Sequence, residues 1–422
     1  MTRHTTRAAL GAGALLITGA LVLSGCGGSG FDDSAGGSAT DSGDLTSSDD
    51  ALTILIGSSG EAETKAVEEA VAAWSADSGV DATVQAANDL NQQLSQGFAA
   101  GSPPDLFYLS TDALAGYAGN GSLKAYGDLL ENKDDFYPTL VDNFTFDGDF
   151  YCAPKDFSTL ALIINTDLWA AAGLTDADIP TTWEDLTAVS EKLTTDGVAG
   201  LGFSSEYQRL GAFMAQAGGG LVVDGAATAN SPENVDALNY VKEGLNAGNF
   251  EYAADLGAGW GGEAFGKGLA AMVIEGNWIG GAMSADFPDV NYTVAELPAG
   301  PGGQGTLQFT NCWGMAADSP NQQAALDLVE YLTAADQQLA FSEAFGPMPS
   351  IQSAADQWST DNPDLAPFLA GADYAQYPPN QAGSAEVIAD FNAQLEGLKT
   401  GDPQAILDSV QTNLQAVLDS AS

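Results

Sequence analysis

Histidine is almost absent: one occurs in 422 residues, His4, and it sits in a basic, apolar leader rather than in the folded chain. Ser-His-Asp and Cys-His nucleophiles, histidine zinc sites and histidine acid/base chemistry are thereby excluded. Basic residues are scarce as well, 11 Lys plus Arg against 57 Asp plus Glu, for a formal charge of -46. Such a chain has no electrostatic attraction to phosphate backbones or anionic headgroups, so nucleic acid is not an expected partner. The charge reads as a heavily hydrated surface. The three cysteines form no Cys-x-x-Cys. Gly257 to Gly262 satisfies G-x-G-x-x-G, but no apolar strand precedes it and Trp260 sits inside the turn. The near P-loop from Gly261 to Lys267 has Gly268 where a Ser or Thr would hold magnesium. No cofactor and no metal is expected. Carboxylate pairs are the one catalytic resource, and 57 acids single out none of them.

What is present organises the chain. Arg3, His4 and Arg7 precede a mostly apolar run from Ala8 to Leu23, sixteen residues broken by Gly11, Gly13 and Gly19. That is short for a membrane span and reads as an export signal. The run ends in Leu23-Ser24-Gly25-Cys26, which resembles the bacterial lipoprotein box. The resemblance implies a signal peptide over residues 1–25 and a lipidated mature N-terminus at Cys26, with palmitate among its acyl groups. From Gly27 to Asp50, 18 of 24 residues are Gly, Ser or Asp. Such a segment cannot bury enough surface to offset its chain entropy, so residues 26–50 read as a flexible tether reaching on the order of 25 to 30 Å.

The remaining chain, 45% hydrophobic overall, is long enough for two or three domains. Leu52 to Ile56 reads as a strand, and Val67, Ala70, Val71 and Trp74 mark the apolar face of a helix over 61–77. A strand over 81–86, a helix over 89–100 and a strand over 106–109 continue a β-α-β-α-β order, which implies a mostly parallel sheet. A strand over 160–164 and a short helix over 168–172 follow. Thr182 with Asp185 forms a capping box. Ser231-Pro232 and Ser319-Pro320 each place an N-cap before a proline at the first helical position.

Two stretches carry a specific resemblance. One runs from Tyr151-Cys152-Ala153-Pro154-Lys155-Asp156-Phe157-Ser158-Thr159 through Asn165 to Thr182-Trp183-Glu184-Asp185-Leu186. The other runs from Ala271-Met272-Val273-Ile274-Glu275-Gly276-Asn277-Trp278 through Leu297-Pro298-Ala299-Gly300-Pro301 to Trp313-Gly314-Met315. With Pro104-Asp105-Leu106 they resemble the family 1 extracellular solute-binding proteins, the maltose-binding-protein-like receptors of sugar ABC importers, over essentially all of residues 51–422. The resemblance implies an α/β, two-lobe periplasmic-binding-protein fold with hinge strands and an interlobe ligand cleft. Lobe one would hold residues 51–154 plus 296–310, and lobe two 155–295 plus 311–422. The implied function is a monomeric, lipid-anchored receptor on the extracytoplasmic face of the cell membrane. It would capture a neutral sugar or oligosaccharide by lobe closure and deliver it to ABC permease subunits, without enzymatic activity. Two other readings stay open: a secreted carbohydrate-active enzyme with a carboxylate pair, and a sensory binding protein of the same fold.

A sugar needs aromatic plates for its C-H faces and polar groups for its hydroxyls. Trp278 is the leading plate, because it follows a buried strand-like run and matches a stacking position of the family. Trp260 with Glu263, and Trp313, are further candidates, whereas Trp74, Trp169 and Trp183 belong on helices in the core. Ser59 and Glu61 end the first strand, where α/β sheets commonly bind ligands. By resemblance Asp112, Asp156, Ser158, Tyr207, Arg209, Glu275 and Asn277 join the ligand set, and Phe345 and Tyr374 close its edge. Scarce bases favour an uncharged guest. The resemblance also places Cys152 and Cys312 beside the hinge strands of an exported protein, where a disulfide is expected, two buried thiols being the alternative.

Overall fold

The computed structural model describes residues 45–58 and 60–421. The leader, Cys26, the tether through residue 44 and Ser59 lie outside them. Among the described residues no helix is long and apolar enough to cross a membrane.

Ten strands form one sheet: β1 (Leu52–Ile56), β2 (Ala82–Ala86), β3 (Leu106–Ser110), β4 (Pro154–Asn165), β5 (Ala199–Phe203), β6 (Phe250–Tyr252), β7 (Ala270–Gly276), β8 (Tyr292–Ala295), β9 (Thr306–Met315) and β10 (Ala375–Gln376). The order is β6-β5-β7-β4-β9-β3-β1-β2, with β8 beside β4 and β10 beside β9. Parallel pairing joins β1 to β2 and β3, and β5 to β6 and β7. The long strands β4 and β9 pair antiparallel with each other, β4 also with β7 and β9 with β3. They splice the two parallel halves together.

Each half has its own core. Ile54 and Ile56 of β1, Phe107 and Leu109 of β3, and Val67, Val71 and Trp74 of the helix Glu61–Ser78 fill the first. In the second half, alternation along β4 and β7 assigns faces. Leu160, Leu162, Met272 and Ile274 join one cluster with Phe213, Leu238 and Phe391, while Ala161, Ile163 and Val273 join another with Phe265, Trp358 and Phe368. A strand buried on both faces reads as an unbroken apolar run, and full burial of each large side chain contributes about 1.5–3 kcal/mol.

Core membership changes between Ala153 and Phe157 at the start of β4, within β9, and between Ala354 and Trp358, while Leu140 and Met348 reach into the second half's core from segments otherwise packed in the first. This revises the expected boundaries. Leu297 and Leu307, expected in lobe one, pack in the second core; Cys312, Trp313, Met315, Val329 and Ile351, expected in lobe two, pack in the first. Which core each stretch joins follows from the pairing of β9 with β3 and β4, a tertiary register that composition does not carry.

Two local expectations also shift. Residues 45–50, read as free tether, lie on the folded body: Leu45 packs on the first core, and Thr46 Oγ1 donates to the Ser319 carbonyl at 2.7 Å. Leu45 and Thr46 break the Gly/Ser/Asp composition, and they supply the apolar contact and the docking hydroxyl. The helix after Ser319-Pro320 starts at Gln322, with Asn321 rather than Ser319 at its N-cap; the Ser319 hydroxyl donates to Asp105 at 2.6 Å and accepts the Asn321 amide at 3.4 Å. By contrast, the Thr182–Asp185 box and the Ser231 cap form as the sequence indicates.

Candidate functional site

Where β4 and β9 cross, a cavity of about 860 Å³ opens between the halves. The start of β4 supplies Lys155, Asp156, Phe157 and Ser158; β9 supplies Phe309, Thr310 and Asn311; the turn after β7 supplies Asn277 and Trp278. Phe345 and Gly346, ending the helix Ala335–Phe345, form the rim; Gly57 and Glu63 of the first half also line the cavity, as do Ser284, Tyr292 and Leu365.

Trp278 lines the cavity with 39% of its surface exposed. Its Nε1 donates to Glu275 Oε2 at 3.1 Å, and Phe309 meets it edge-on with centroids 5.8 Å apart. Asn277 accepts from the Ser158 hydroxyl and donates to the Gly346 carbonyl at 3.0 Å, joining β4, β7 and the rim helix. Thr310 donates to the Asp156 carbonyl at 2.6 Å.

Charge in the cavity is concentrated on Lys155, held by Glu63 at 3.2 Å and by Asp156, with its ammonium 4.5 Å from the Tyr108 ring centroid. Burial pulls the Lys155 amine down, but the Asp156 and Glu63 carboxylates outweigh it and push it up. Burial raises the Asp156 carboxyl despite Lys155. Two carboxylates and one ammonium among the lining residues make the site anionic by one unit. Among the described residues no group of three or more His, Cys, Asp or Glu is placed to hold a metal ion.

Of the residues expected at the ligand, Asp156, Ser158, Asn277, Trp278 and Phe345 line this cavity. Arg209 and Glu275 lie behind Trp278 and do not. Trp313 is a core residue instead, 2% exposed with its ring 4.8 Å from Tyr108, because β9 turns that position inward. Tyr207 likewise is buried against Phe391. Glu61 and Asp112 are exposed on first helical turns away from the cavity. Trp260 packs its ring over Gly262, Glu263 pairs with Lys267, and Tyr374 donates to Glu296 at 2.9 Å; none of the three lines the cavity. Ser59 lies outside the described residues.

Lys155, Glu63, Phe309, Thr310 and Asn311 were missed. Glu63 carried a signal: it shares the helical stripe of Val67, Ala70, Val71 and Trp74, a carboxylate on an apolar face. Cys152 and Cys312 are joined in a disulfide with Cα atoms 5.7 Å apart, pinning β9 to the residues that lead into β4.

Two α/β halves spliced by crossing strands around a polar cleft with an exposed indole define a two-lobe solute receptor. The model for bacterial extracellular solute-binding proteins matches residues 69–367, and the chain belongs to that family. A binding protein of Brucella abortus is 26% identical over 348 residues, covering 78% of this chain and 83% of that one. The diacetylchitobiose binding protein DasA of Streptomyces coelicolor is 24% identical over 64% of this chain and 66% of that one. Among solved structures, the cyclic alpha-maltosyl-1,6-maltose binding protein of Arthrobacter globiformis superposes with a TM-score of 0.77 at 24% identity, covering 87% of this chain and 99% of that one. That likeness is one of fold.

Proposed function

We propose that this protein captures an uncharged sugar or oligosaccharide between its lobes and passes it to an ABC importer, acting as a binding protein rather than an enzyme. The observation that carries the reading is the exposed Trp278 ring in a cleft whose other polar groups are mostly neutral amides and hydroxyls. An indole face suits the C-H face of a pyranose, and Ser158, Asn277, Thr310 and Asn311 retain hydrogen-bonding capacity for hydroxyls. Lys155 already faces two carboxylates, so a phosphate or carboxylate ligand would meet net repulsion. The name of the diacetylchitobiose-binding relative and that of the maltosyl-maltose-binding structural neighbour support a saccharide guest.

Ligand contacts made on both lobes favour the closed form in proportion to the affinity difference between forms. Asp156, Ser158, Asn277, Trp278 and Phe345 are the proposed contacts, joined by Thr310 and Asn311. The protein acts as a monomer held at the extracytoplasmic face of the membrane through a lipid on Cys26; the leader, lipoprotein box and acidic linker support the anchoring. A thermal-shift panel of maltose, maltotriose, maltotetraose, diacetylchitobiose and sn-glycerol 3-phosphate tests the ligand class. A saccharide should raise the melting temperature and contract the scattering profile. A response to the phosphate ester alone would refute the uncharged-sugar reading.

A further inference from the structure

Arg209 and Glu275 form an ion pair 2.7 Å long beside the cleft, with Glu275 fully buried and Arg209 8% exposed. Neither lines the cavity, so neither is placed to touch a guest there. As a stability device the pair is poor, since Arg209 Nε and Glu275 Oε1 make no hydrogen bond, and buried ion pairs are often replaceable by apolar side chains without loss. What the pair does hold is the indole. Glu275 Oε2 accepts from Arg209 Nη2 and from Trp278 Nε1, and the guanidinium carbon lies 5.3 Å from the Trp278 ring centroid. Gly276 makes room for the ring, because a Cβ there would come within 2.1 Å of it. Glu206 holds the far side of the guanidinium at 3.0 Å.

We propose that Arg209 and Glu275 are positioning residues that fix the Trp278 ring as a rigid plate before the guest arrives; this rests on Trp278 being the contact plate named above. A side chain ordered in advance need not be ordered on binding, which is worth about two- to tenfold in affinity for one such residue. Arg209 is the single arginine after the leader, and its planar guanidinium can bond a carboxylate while facing an aromatic ring, which an ammonium does less well.

The test uses protein labelled with 5-fluorotryptophan, whose seven fluorine resonances are followed by NMR without ligand. The Trp278 signal is assigned through Trp278→Phe. In the double variant Arg209→Met, Glu275→Leu, that signal should broaden or split while the Trp313 signal stays put, and maltotriose affinity should fall about two- to tenfold. Arg209→Lys should give a smaller disturbance of the same signal. An unchanged Trp278 signal in the double variant overturns the proposal. If that variant does not fold, the near-isosteric Glu275→Gln decides in its place, and a shift no larger at Trp278 than at Trp313 overturns it. A Trp278 signal that moves in the variants while the unmodified protein binds no saccharide supports positioning and removes the sugar assignment alone.

Discussion

The Thr46 hydroxyl accepts the Gln322 amide at 3.2 Å across 276 positions, and the Thr46 carbonyl accepts the Gln323 amide at 3.0 Å. One residue from the chain's N-terminal arm thus caps the helix Gln322–Leu332, whose own N-cap residue, Asn321, offers no side-chain bond. Replacing Thr46 by Ala should therefore destabilise the protein by about 1 kcal/mol, and replacement by Ser should restore most of it. Urea midpoints compare the three. A wild-type midpoint in Thr46→Ala would show that the arm rests on the body without holding it.

Trp278, the proposed contact, and Trp313, a core residue, give variants with opposite expected effects. Trp278→Ala should leave the melting temperature within a few degrees, because the ring is 39% exposed, and should weaken saccharide binding by at least about fivefold, matching roughly 1 kcal/mol for one covered ring face. Trp313→Ala should cost about 3–5 kcal/mol of stability by opening a cavity beneath Tyr108. Equal melting curves for the two variants would contradict this division.

The Cys152–Cys312 bond closes a loop of 160 residues. Its removal by paired Ser substitutions should lower stability by about 2–4 kcal/mol, the usual range for a native disulfide. Alkylation of unreduced, unfolded protein should label neither cysteine. Labelling of both would mean that the thiols stay free in the isolated protein.

Burial raises the Asp156 carboxyl above its ordinary value of 3.8, outweighing the pull of Lys155. Between that value and the folded-state one, the native chain holds more protons than the unfolded chain. The associated stability is fully present below 3.8 and is lost as pH rises through the folded-state value. Melting temperatures from about pH 3 to about pH 7 should thus show the wild type falling relative to Asp156→Asn across that interval. Parallel curves would mean that Asp156 titrates alike in both states.

Periodicity made the first half legible: the apolar helical stripe ending at Trp74 and the short β-branched strands predict the β-α-β-α-β order that the structure has. Trp278 stood out because it follows a buried strand-like run and matches a stacking position of the resembled family, and it lies in the turn after β7 on the cavity wall. Trp313 misled, since an aromatic within a crossing strand can face either way and only the register against β3 decides. The Glu63–Lys155 pair was invisible for another reason: its partners are 92 residues apart and meet only through tertiary packing.

The two crossing strands have a mechanical consequence. β4 and β9 run side by side as an antiparallel pair whose register shifts between Asn311 and Cys312, and the sulfur bridge clamps one end of them. A ribbon of that kind flexes readily across its thin dimension and strongly resists being sheared within its own plane. The mouth should accordingly swing along a single arc, so a guest of any length would meet the same jaw geometry at the innermost point, and tolerance for longer chains would be decided at the open end.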